Sequence, residues 1–219
     1  MNSQRRTMTP DCLCHRHLRP PAETYGIVFY NDIIHATVTH HPSAVAEWIH
    51  DINSLYGHRL TVGLDVEWRP TTVRGGPPNP AATLQLCAGR CCLVYQLIHS
   101  PYVPVALIRF LSQSPHTFVG VGIIADLEKL RRDYGIESAA AAAVDLRRMA
   151  AAVEGREFNG LKNAGLKTMA RSVLGKEMEK PKAVALSGWD NRRLTFDQVR
   201  YAVVDAFVAS EIGRVLTAR

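Results

Sequence analysis

The sequence predicts a single α/β domain, one mixed β-sheet flanked by α-helices. Three observations carry this. The 219 residues, 47% of them hydrophobic, are enough for one sizeable core and too few for two full domains. Apolar segments of strand length come first, then helix and strand alternate, then helices close the chain. No internal repeat and no second domain can be read along the chain.

The elements follow in order. Residues 1–21, MNSQRRTMTPDCLCHRHLRPP, read as a disordered basic tail, and residues 22–219 as the domain. The tail has no apolar core after its arginines, so it is not a secretory signal; its Arg-rich, acid-poor character fits a transit peptide only in part. Cys12, Cys14, His15 and His17 form a C-x-C-H-x-H cluster of the ligand types that hold zinc. Nothing nearby could fold around an ion, so a plain tail is the preferred reading.

Residues 25–40, YGIVFYNDIIHATVTH, read as two β segments around an Asn31-Asp32 turn. Pro42 opens a helix, with Ser43 near its cap, that runs to about Tyr56. RLTVGLDVEW is a buried strand, and TTVRGGPPNP a loop. ATLQLCAG and CCLVYQLIH are two strands split at Gly89-Arg90, as in a hairpin or meander. VALIRFLSQ has a helical repeat. HTFVGVGI is a continuous apolar run of strand length, and ADLEKLRRDYG a helix ending at Gly135. Residues 139–143 are a run of alanine whose composition says helix and whose place in the alternation says strand. LRRMAAAVEG and LKTMARSVLG are helices. Thr195 with Gln198 three residues later forms a capping box, which marks the start of TFDQVRYAVVDAFVASEIGRVL.

Charge and cysteine narrow the function classes. No stretch approaches the roughly 20 apolar residues of a membrane span, so no membrane partner is expected. Five cysteines, two of them adjacent, argue against a disulfide framework and fit a reducing compartment, the cytoplasm or nucleus. The net charge of +6, with pairs at Arg131–Arg132, Arg147–Arg148 and Arg192–Arg193 and with Lys176, Lys180 and Lys182, favours a polyanionic partner. Many basic proteins bind no nucleic acid, so this alone is unspecific.

The informative residues are acids in apolar surroundings. Asp65 and Glu67 interrupt VGLDVEW. Residues two apart on a strand share a face, so both carboxylates leave one face while Leu64 and Val66 enter the other. Like charges held close in a low dielectric need compensation, and hard oxygen ligands suit Mg²⁺ or Mn²⁺. A bare D-x-E is more often a strand end whose acids reach water. Asp126 follows an apolar strand and opens a helix, where a carboxylate also serves as a cap. Asp205 lies among Val203, Val204, Ala206 and Phe207, and an acid in so apolar a stretch is rarely a solvated surface charge. Tyr201, four residues earlier, shares its helix face; a Tyr–Asp hydrogen bond that anchors the helix is the plainer alternative. Together, four acids and a tyrosine suit a site with two cations roughly 3.5–4 Å apart, which activate a water and stabilise the leaving oxygen of a phosphodiester.

These motifs carry a resemblance. VGLDVEW (62–68), VGVGIIADLEKLRRDYGI (119–136) and LSGWDNRRLTFDQVRYAVVDAFVASEI (186–212) resemble the DEDD exonucleases of the ribonuclease H-like superfamily, in particular the Werner syndrome-type exonuclease domain. LKTMARSVLGK (166–176) resembles that family's helix before the third motif. The resemblance implies a ribonuclease H-like mixed sheet and metal ligation by Asp65, Glu67, Asp126 and Asp205, with two Mg²⁺ or Mn²⁺ ions as cofactors. It also implies a strand near residues 139–146. Tyr201 takes the place of the water-orienting tyrosine. The sister branch has histidine five residues before the last aspartate, where this chain has Arg200. One departure is Ala125, where many relatives carry glycine or a polar residue.

The expected activity is 3′–5′ hydrolysis of single-stranded or 3′-recessed RNA or DNA to nucleoside monophosphates. Trp68, Lys176, Lys180, Lys182, Arg192 and Arg193 are the candidate nucleic-acid contacts. Small plant relatives that resemble this chain suggest a ring-shaped homo-oligomer and an RNA-silencing or DNA-repair partner. The competing readings are a non-catalytic binding or scaffold protein that kept the fold, whose hallmark would be a missing acid, and an endonuclease.

Overall fold

The computed structural model describes residues 22–57, 59–72, 75–113, 115–137, 143–153 and 158–218. The Cys/His cluster of the tail and residues 139–142 of the alanine run lie outside them. Seven strands form one sheet: β1 (Glu23–Phe29), β2 (Asp32–Thr39), β3 (Thr61–Glu67), β4 (Thr83–Ala88), β5 (Cys91–Tyr95), β6 (Thr117–Gly120) and β7 (Ala143–Asp145). Their spatial order is β1-β2-β5-β4-β3-β6-β7. The expected mixed α/β sheet is present.

The order contains one departure from the expected antiparallel opening. The hairpin β1–β2 does not continue into β3; β2 pairs parallel with β5. Helix α1 (Pro42–Tyr56) carries the chain across, as a parallel pairing requires. β3, β4 and β5 form the antiparallel meander, and β6 and β7 then extend the sheet parallel to β3.

Helices cover both faces. α1, α2 (Val105–Gln113) and α3 (Ile123–Tyr134) bury their apolar stripes against Val62, Leu64, Val66 and Phe118. The opposite face packs on α4 (Leu146–Ala152), α5 (Leu166–Met169), α6 (Lys182–Ala185) and above all α7 (Phe196–Thr217). α7 is buried nearly all round, the mark of a core helix rather than a surface one. Its close seat on the sheet depends on glycine. A Cβ on Gly63 would stand 1.9 Å from the Ala206 carbonyl oxygen, and one on Gly213 2.7 Å from the Thr61 side chain. No helix among the described residues is long and apolar enough to cross a membrane.

Local chemistry marks several boundaries as expected. Pro42 stands at the start of α1, Gly135 closes α3 in a left-handed cap, and the Thr195–Gln198 capping box is present on both sides. Other boundaries differ. The N-cap of α1 is His41, two residues before Ser43, and its side chain makes no capping bond. The run after Tyr95 turns into a single 3₁₀ turn at Leu97–His99. The strand expected over residues 116–123 ends at Gly120: Gly122 adopts φ 81°, a left-handed turn open to glycine, and Ile123 already opens α3. The helix read over LKTMARSVLG widens into a π-helical stretch at Ala170–Leu174.

The cysteine reading also needs correction. Cys87 and Cys92 face each other directly across β4 and β5 and are joined by a disulfide. Cross-strand register, not spacing, brings them together; among the described residues it is one bridge within one hairpin, and not a framework.

Candidate metal and catalytic centre

β3 supplies the first two acids. Gly63, Asp65 and Glu67 alternate onto the face that α7 covers, while Val62, Leu64 and Val66 enter the opposite core with at most 3% exposure. Because Gly63 lets the α7 backbone approach, Asp205 is brought over Asp65. Carboxylate oxygens of Asp65, Glu67 and Asp205 lie within 4.8 Å of one another. Asp205 is 2% exposed. Beneath the acids, Gln85 and Thr83 are their cross-strand partners on β4; Gln85 Nε2 donates to Thr83 Oγ1 at 2.6 Å, and the buried Gln85 Oε1 has no partner.

Asp126 arrives from the other layer. It does not cap α3, as its position suggested; Gly122 holds that place and Asp126 stands in the first turn. Its charge faces Asp65 and Glu67, although it is not among the three acids that crowd most closely. A residue not singled out from sequence fixes the turn that precedes it. Gly122 N–H donates to Asp145 Oδ2 at 2.8 Å, and Asp145 is held in turn by Arg147 at 2.6 Å. Asp145 caps α4 through the Arg147 N–H; an Asp before LRRMA is a recognisable cap signal, but its grip on Gly122 spans 23 residues and leaves no local trace.

Tyr201 lies one helical turn before Asp205, whose charge acts on its hydroxyl. Its ring packs on the buried Trp189, with centroids 5.8 Å apart. Trp189 is fixed from three sides. Its Nε1 donates to the Ala185 carbonyl; Gln198 Nε2 donates to Ser187 and Gly188; and Arg69, just past β3, pairs with Asp190 at 2.6 Å. The capping residue Gln198 thus also ties the segment 187–190 to the start of α7.

The electrostatics show how strongly burial and mutual repulsion act on these acids. Burial, and then the neighbouring charges of Asp65 and Asp205, push Glu67 up to about 9. Burial and Asp205 push Asp65 up to about 7, and burial with Asp65 and Asp145 pushes Asp126 up to about 8. Burial raises Asp205 as well, against the opposing pull of Lys180. At an effective dielectric near 20, two unit charges at this separation repel by roughly 3–4 kcal/mol. An all-oxygen donor set, partly desolvated and short of positive charge, fits a hard divalent cation.

Of the candidate nucleic-acid contacts, Lys180 alone joins the acids. Its Nζ is 2.5 Å from Asp205 Oδ2 and 5.2 Å from the Tyr201 ring centroid. Lys176 is drawn to the β1–β2 turn, 3.1 Å from Asp32. Trp68 is partly buried against the α1–α3 side of the core, with Lys129 Nζ 4.8 Å from its ring centroid. Lys182 is exposed on α6, Arg192 is exposed, and Arg193 faces Glu23 at 4.0 Å.

Comparison with known proteins agrees with this geometry. Residues 38–218 match the family model described as 3′–5′ exonuclease. A curated 3′–5′ exonuclease of Arabidopsis thaliana is 33% identical over 156 residues, covering 71% of this chain and 52% of the relative. One from Drosophila willistoni is 32% identical over 183 residues, covering 80% and 48%. The chain therefore spans about half the length of these relatives. Among solved structures, Escherichia coli RNase D aligns with TM-score 0.66 at 20% identity, over 83% of this chain and 44% of its own. The EXO domain of Aedes aegypti Nibbler aligns with TM-score 0.66 at 20% identity, over 83% and 86%. These two likenesses are of fold.

Proposed function

We propose, from the premise that this chain belongs to the 3′–5′ exonuclease family, that it is a metal-dependent nuclease domain. It removes nucleoside monophosphates one at a time from the 3′ end of RNA or DNA. The observation that carries this reading is the packing of three carboxylates within 4.8 Å beside Tyr201, with Asp126 facing them.

Asp65, Glu67, Asp126 and Asp205 would hold two Mg²⁺ or Mn²⁺ ions. Such ions, when bound, lower the pKa of the attacking water and stabilise charge on the departing oxygen. The chain's own groups do the rest. The Tyr201 hydroxyl, on the helix turn before Asp205, exchanges a hydrogen bond with the attacking water and fixes its approach. Its phenol stays protonated at neutral pH because burial, and then the Asp205 charge, raise its pKa above the ordinary value. Trp189 keeps that ring from turning away. Lys182, Arg192 and Arg193, all exposed, are the side chains proposed to meet the phosphate backbone. A single-stranded or recessed 3′ end in the cytoplasm or nucleus is the proposed partner. Assembly into a ring and service to RNA silencing or DNA repair are narrower proposals that rest on the resemblance alone.

The test is digestion of matched, 3′-labelled RNA and DNA oligonucleotides in Mg²⁺. Asp65→Asn is expected to abolish release of the labelled mononucleotide while the circular dichroism spectrum is unchanged. Cleavage by that variant at the wild-type rate would falsify the metal assignment. A circular substrate that stays intact separates this activity from that of an endonuclease.

A further inference from the structure

Lys180 belongs to neither the helix nor the strand that carry the acids. It is on the strap between Gly175, which closes the π-helical turn, and α6. The strap is moored just before it. Tyr30 of the hairpin turn donates to the Glu177 carbonyl and accepts from the Glu177 N–H, Lys176 pairs with Asp32, and Met178 is buried at 3% exposure. From there Lys180 reaches down to Asp205 Oδ2. That oxygen is buried and has no hydrogen-bond donor of suitable geometry; the ammonium 2.5 Å away is its compensating charge. The same ammonium acts electrostatically on Asp65, Glu67 and Asp126. Burial opposes its charge, but Asp205 and then Asp65 outweigh this and hold its pKa above the ordinary lysine range. The Lys180 side chain nevertheless keeps 33% of its surface exposed, on a flexible four-carbon stem.

We propose that Lys180 is a resident cation of the metal-free centre, occupying the charge position at Asp205 that a divalent ion needs, and that metal loading transfers its ammonium from Asp205 to the phosphate of the bound nucleotide. This rests on reading the acidic cluster as a metal centre. The ammonium and a divalent ion cannot both neutralise one carboxylate oxygen, because like charges a few ångströms apart repel strongly where water is scarce. The stem lets the ammonium retreat to the rim without movement of the moored strap. At the rim, a phosphate is the natural partner for a point positive charge.

Two binding constants of opposite sign test this on the full chain. Lys180→Met, freed of metal, is titrated with Mn²⁺ by calorimetry, and then with AMP in saturating Mn²⁺. The variant should bind Mn²⁺ more tightly, on the order of tenfold, and AMP more weakly, also on the order of tenfold. Lys180→Arg should return both values toward wild type. A lysine that merely braces the strap would weaken both together. If wild type binds Mn²⁺ while Lys180→Met binds it no more tightly, or binds AMP equally well, the exchange is wrong. Absence of Mn²⁺ binding by wild type would instead overturn the metal centre itself. Because Lys180→Met leaves a buried carboxylate without its partner, melting is followed in parallel: Mn²⁺ should raise the melting temperature of the variant by more than that of wild type. An equal or smaller rise overturns the proposal even if the metal-free variant is too unstable to titrate.

Discussion

Tyr201 feels two neighbours of different kind, the Trp189 ring packed on its flank and the Asp205 charge one helical turn away. Removing the oxygen alone separates orientation from packing. Tyr201→Phe is expected to keep the fold and the Mn²⁺ affinity while kcat falls by roughly 10²-fold, the low end of what one positioned proton-handling group contributes. Single-turnover cleavage of a short oligonucleotide measures this. A kcat within twofold of wild type would leave Tyr201 with only the helix-anchoring role open to it from sequence. Asp145 has no such part in the chemistry. Burial would raise its pKa, but the Arg147 and Gly122 hydrogen bonds outweigh this and keep it ionised, so that its charge and its grip on Gly122 both reach Asp126.

The contact of α7 with β3 decides whether the centre exists. Two backbones meet at Gly63, and no side chain fits between them. Gly63→Ala must push α7 outward, carrying Asp205 away from Asp65. Overpacking of this sort costs about 1–3 kcal/mol or more, and a shift near 1 Å at the reacting groups costs activity as well. Urea unfolding should show the loss, together with weaker Mn²⁺ binding. Gly26→Ala is the control, since its Cβ would meet only Ile33 at an ordinary 3.8 Å, and its stability should stay within about 0.5 kcal/mol of wild type. Equal effects at the two glycines would contradict the close-approach argument.

The whole molecule carries the cost of concentrating acid at the carboxyl ends of β3 and β6. The folded pKa values of Asp65, about 7, and Glu67, about 9, lie above the unfolded values near 4. The metal-free folded state therefore retains protons that the unfolded chain has already released, and their stabilising effect is lost as pH rises through the folded values. In EDTA, the melting temperature should fall from about pH 4, where the unfolded chain releases these protons, until about pH 9, where the folded acids have released them too. Mg²⁺ should reduce that fall, because the ion replaces the protons and binds only the folded state. Scanning fluorimetry over this range, with and without Mg²⁺, measures both slopes; parallel curves would mean that no ion enters the acidic cluster.

The sequence by itself determined the mixed α/β class, the family motifs and the acids. These rest on short-range chemistry: β-strand alternation puts Asp65 and Glu67 on one face, an apolar helix makes Asp205 conspicuous, and Thr195 with Gln198 caps a helix wherever it occurs. Only the tertiary structure decided which distant groups meet. It paired β2 with β5, bonded Cys87 to Cys92, cut the sixth strand at Gly120, tied Gly122 to Asp145 and brought Lys180 onto Asp205. Each of these depends on strand register or on a glycine-permitted approach between elements far apart in the chain. Local pattern records which face a side chain takes, but not what the opposite surface will bring to it.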